Sequence, residues 1–80
     1  MESSFDIFWS LHRQAEAGKE IKLPEMTNRM RKNVLKRLEN DEKRSYRVHK
    51  FGKSTDELFH REEEIYIAIR LAIAPPPVWN

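Results

Sequence analysis

Apolar side chains recur at helical spacing in three parts of this chain, and the densest set lies between Ser54 and Ala74. At about 100° per residue, Leu58, Phe59, Ile65, Tyr66, Ile69 and Ile73 share one face. Ser54 followed by Glu57 fits a capping box, Asp56 and Glu57 suit a first turn, and prolines at 75, 76 and 77 supply a stop. This pattern predicts a helix over 54–74. A second reading ends the helix near Glu64 and continues as a strand, because Ile65, Ile67, Ile69, Leu71 and Ile73 alternate with Tyr66, Ala68, Arg70 and Ala72. The clean start and the good helix formers Ala, Leu and Arg favour the single helix. On that helix Ile67 and Leu71 point away from the main apolar face. Glu62 falls inside that face and needs a partner or an edge position.

A first helix is predicted over 4–17. Phe5, Phe8, Trp9, Leu11, His12 and Ala15 form its apolar face, Ser3 or Ser4 caps it, and Gly18 ends it. Residues 19–23 read as an extended connector or short strand with Ile21 and Leu23 on one side. Pro24 is expected to open a second helix, 24–40, with Met26, Met30, Val34, Leu35 and Leu38 inward and Asn40 and Asp41 marking its end. Ser45–Phe51 alternates Tyr46, Val48 and Lys50 with Arg47, His49 and Phe51, which predicts a short edge strand turned by Gly52. Paired with 19–23 it would form a two-stranded ribbon packed on the helices. The expected fold is therefore mainly α: a compact three-helix domain over 1–80, with that ribbon if the two segments pair. A Pro-rich tail follows at 75–80, whose Val78 and Trp79 fold back on the core or present a peptide to a partner.

Composition narrows the function classes. Eighty residues, 39% apolar and 35% charged, support one small core. No cysteine is present, so disulfides and thiolate metal sites are excluded, and the composition suits a reducing cytoplasm. No apolar run approaches the ~20 residues of a membrane span. Met1–Ser10 lacks a basic segment and carries Glu2 and Asp6, unlike a signal peptide.

Charge is unevenly placed. Residues 28–53 hold ten Lys/Arg against three acids, whereas 1–27 hold three against five and 54–80 two against five. Arg29, Lys32 and Lys36 stack on one stripe of the second helix, which Lys43 would extend if the helix persisted. Arg44, Arg47, Lys50 and Lys53 follow.

Catalytic motifs are incomplete. Gly52-Lys53-Ser54-Thr55 resembles the end of a phosphate-binding loop, but the glycine required five residues earlier is Arg47. Glu57-x-x-His60 has di-iron spacing without a second copy. His12, His49 and His60 show no ligand spacing, and the serines sit at helix starts. Glu62–Glu64 read as a solvated acidic turn. No enzyme activity, cofactor or metal is expected.

Two expectations remain. One is a small regulatory protein, an inhibitor or accessory factor. It docks its basic face at 29–53 on a larger protein such as a nucleic-acid-processing machine, with Trp9, Ile67, Leu71 or Trp79 as apolar anchors. The other is a nucleic-acid-binding module using the same cations on phosphates, with Tyr46, His49 and Phe51 as stacking residues. Ile67 and Leu71 are also candidates for contact between copies of the chain.

Overall fold

Phe8, Leu11, Val34, Leu38 and Ile69, drawn from three different helices, are fully sealed from solvent. The computed structural model describes residues 3–73. It holds α1 (Ser4–Glu16), α2 (Asn28–Lys50) and α3 (Asp56–Ile73), each packed on the other two. Ile7, Ile65, Tyr66 and Ile73 complete the core, and Trp9, Ala15, Ile21, Met26, Met30 and Leu35 pack around its margin. The helical reading of 65–73 is correct. Its period-two alternation is accidental, since Ile65, Ile69 and Ile73 are buried while Ile67 and Leu71 face out. Trp79 and the rest of the Pro-rich tail lie outside the described residues.

Local chemistry sets the helix starts. Ser3 is extended and accepts from the Asp6 amide, with Asp6 in the first turn. Thr27 accepts from the Met30 amide at 3.1 Å, so α2 begins at Asn28 and Pro24 belongs to the connector. The sequence cue failed there because a proline at N1 is permitted, whereas a Thr cap satisfies an otherwise orphan amide. At α3 the cap is Thr55, whose Oγ1 accepts from the Leu58 amide, and not the neighbouring Ser54.

The predicted ribbon is absent among the described residues. Residues 19–23 are irregular, and the Lys22 amide donates to Gln14 Oε1 at 2.8 Å. Residues 45–50 continue α2, and Asn40 and Asp41 do not end it. Packing against α3 overrides local preference here. Ser45 donates to Glu62 at 2.7 Å, His49 stacks on Phe59 with centroids 4.3 Å apart, and Glu42 pairs with Arg70. As the α2 position rises the α3 partner falls, so the two helices run antiparallel. The Ser45 contact also supplies the partner that Glu62 needed.

Gly18 and Gly52 close α1 and α2 in the same way. Both have positive φ, 71° and 72°. In each case the glycine amide and the next amide bond back to the last turn, Gly52 to the His49 carbonyl and Lys53 to that of Val48. A Cβ at Gly52 would meet nothing within 4 Å, so the obstacle to substitution is the left-handed backbone itself. Gly52→Ala is expected to cost about 1 kcal/mol, read as a lower urea midpoint with unchanged slope.

Between α2 and α3, His49 Nε2 lies 2.6 Å from Asp56 Oδ1. The hydrogen bond and charge of His49 hold the Asp56 carboxyl below its ordinary value of 3.8. A depressed carboxyl contributes stability above its unfolded pKa and loses it as pH falls through the folded one. The thermal midpoint is therefore expected to fall more steeply below pH 3.8 in the native chain than in Asp56→Asn. Equal acid sensitivity in circular dichroism melts would remove this contact from the account.

Candidate functional site

Because α2 runs unbroken from Asn28 to Lys50, cations that the sequence divided between a helix and a strand share one surface. Arg29, Lys32, Lys36, Lys43, Arg44, Arg47 and Lys50 fall in a sector roughly 120° wide at about 100° per residue. Asn33 and Asn40 are the other residues of α2 in that sector, and all nine are exposed. Val34 and Leu38 lie opposite, fully buried. At a rise of about 1.5 Å per residue the row from Arg29 to Lys50 is roughly 32 Å long.

No carboxylate lies inside the sector. Glu39 stands at its edge and pairs with Lys43 at 3.2 Å. The other six cations make no ion pair among the described residues. Nearby acids are engaged elsewhere: Glu42 with Arg70, Asp41 with Arg37 at 3.8 Å, and Glu62 with Ser45. The row therefore presents positive charge that the protein itself does not neutralise.

Six of the seven cations expected from the sequence come together here. Lys53 does not; it is exposed in the connection beyond α2. Lys43 joins them, as does the asparagine pair, which sequence reasoning missed. The expected stacking set divides. Tyr46 and Phe51 are 56% and 73% exposed near the C-terminal end of the row, whereas His49 is turned inward onto Phe59.

The apolar anchors also divide. Ile67 and Leu71 stand on the outer side of α3, 50% and 74% exposed. Trp9 is half-buried, edge-on to Phe8 at 5.6 Å and to Phe5 at 6.1 Å. His12 sits beside it, at the margin of the core as expected, and pairs with Glu16 at 3.5 Å.

A cleft between α2 and α3 is lined by Glu42, Ser45, Tyr46, Phe59, Glu63 and Tyr66. Burial, reinforced by Glu62, Asp41 and Glu42, pushes the Tyr66 phenol up to about 12. Among the described residues no three His, Cys, Asp or Glu side chains gather as a metal site. No helix among them is long and apolar enough to cross a membrane.

Compared with known proteins, the chain matches no family model, no curated protein and no solved structure.

Proposed function

We propose that this chain is a non-enzymatic binding protein that engages nucleic acid through the outer face of α2. The observation that carries this reading is the acid-free row of seven exposed cations on one continuous helix. Lysine and arginine on such a row would neutralise phosphates and release their counterions, which drives association without any shaped pocket. The apolar anchors expected for protein docking are less well placed. Trp9 is committed to the core margin, and Ile67 and Leu71 lie on another helix.

A second reading keeps a place because of those two side chains. Together with the basic row they would suit a regulator that docks on a larger, acidic protein, burying Leu71 and Ile67 as anchors.

Titration of labelled oligonucleotides against salt tests the first reading. Binding to duplex is expected with a log–log slope between about −4.5 and −6.3, from roughly five to seven phosphates neutralised. Absence of binding at about 50 mM salt would overturn it.

A further inference from the structure

We propose that α2 lies in the major groove of duplex DNA, where Asn33 and Asn40 read adenine edges. This rests on the nucleic-acid reading above and goes further by naming the duplex, the groove and the readers.

Base-reading side-chain types lie inside the margins of the exposed face of α2. Lys32 and Lys50 mark one margin and Arg44 the other. Between them stand Arg29, Lys36, Asn40 and Arg47 near the midline, with Asn33 about 40° to the Arg44 side of it and Lys43 about 40° to the other. A groove has two phosphate walls and a floor of base edges. Lysine serves a wall as a point charge, whereas asparagine pairs bidentately with adenine N6 and N7, and arginine with guanine O6 and N7. Asn33 and Asn40 therefore lie between the two margins, on the part of the helix that would face the floor, in company with Arg29, Lys36 and Arg47.

The asparagines fit no structural role. Asparagine is a poor helix former whose usual places are caps and turns. Both lie inside α2, cap nothing, and make no side-chain hydrogen bond among the described residues. Residues that break a local rule without a compensating contact are where function is sought.

Dimensions select the partner. A helix about 10–12 Å across with its side chains matches a B-DNA major groove about 12 Å wide. The major groove of A-form RNA is too deep and narrow to admit one. Single strands are read by aromatic platforms, and no aromatic residue occupies the midline. Seven residues separate the asparagines, a rise of about 10.5 Å, or roughly three base-pair steps.

Selection from a random duplex DNA library with the full chain tests this, followed by Asn33→Ala/Asn40→Ala and by 7-deazaadenine in the selected site. Alanine favours the helix, so circular dichroism should be unchanged. The expected result is an enriched site with adenines about three steps apart. The double variant should bind that site at least about tenfold more weakly while keeping its affinity for bulk duplex and its salt slope. Removing the adenine N7 should weaken the native chain similarly. Three results would overturn groove reading while leaving nucleic-acid binding intact: no enriched sequence, enrichment indifferent to the asparagines, or equal affinity for duplex RNA or single strands. Binding to no nucleic acid, with an acidic protein bound instead, would remove both this proposal and the reading beneath it.

Discussion

Phe8→Ala is expected to remove about 3–5 kcal/mol of folding stability, the largest loss from any single truncation in this chain. Phe8 has no exposed surface and packs with Ile7, Leu11 and the edge of Trp9. Truncating a sealed phenylalanine costs about 3–5 kcal/mol, from lost burial and the cavity left behind. A chain of this length has only about 4–12 kcal/mol of stability in total. The neighbouring charge adds to the loss. The Arg37 guanidinium lies 5.7 Å from the Phe8 ring centre and 5.1 Å from that of Phe5, and its Nε is buried without a hydrogen-bond partner among the described residues. Removing the Phe8 ring takes away one of two aromatic faces beside that cation. The thermal midpoint should fall by at least about 15 °C, at roughly 4–8 °C per kcal/mol for a small domain. Phe51→Ala, at a ring 73% exposed, is the control and should move it by only a few degrees. A mild effect at Phe8 would mean that the three helices do not share the core described here.

The core was legible because it is apolar and periodic. Spacing alone places Leu11, Val34, Leu38, Ile65, Ile69 and Ile73 inward, and all are buried, but it also places Phe5 and Leu58 there, which are 53% and 50% exposed, and omits the buried Ile7. The second half of α2 was illegible for the opposite reason. Its inward positions are Asp41, Ser45 and His49, four residues apart and polar, so the helical period carried no hydrophobic signal. With that signal missing, the alternation of Tyr46, Val48 and Lys50 imitated a strand. What fixes this part of the helix is its pairing with Asp56, Phe59 and Glu62, partners 7 to 17 residues away across a turn, which local alternation does not reveal.

The same error hid half of the candidate site. Arg29, Lys32 and Lys36 were placed on one stripe from their spacing. Arg47 and Lys50 could join it only once residues 45–50 were helical. Asn40 in the sequence signals a helix end, because asparagine favours caps and turns, and Asn33 carries no signal of its own. Their meaning depends on knowing that the helix passes through them. The basic character of the middle of the chain was therefore readable, and its geometry was not.

That geometry makes a sharp distinction between where charge sits and how much there is. Lys36→Glu/Arg47→Glu is expected to weaken nucleic-acid binding at least about 100-fold near 0.1 M salt, while folding stays intact. Both side chains are exposed, and substitutions at such positions usually stay within about ±0.5 kcal/mol. Glutamate matches lysine and arginine as a helix former. At 36 it would stand four residues from Lys32, and at 47 four from Lys43, so each new acid gains a helical ion-pair partner. On the binding side the change is severe. Two of the seven cations of the row are lost, which should flatten the salt slope by up to about 2. The new carboxylates also pair with Lys32 and Lys43, drawing two further cations away from the ligand. Lys19→Glu/Lys22→Glu, in the exposed connector before α2, changes net charge equally and is the control. If the ordered row on α2 is what binds, that control should lose no more than about threefold, in keeping with screening over a Debye length of about 10 Å. Equal losses in the two variants would mean that diffuse charge, and not the face of this helix, holds the ligand.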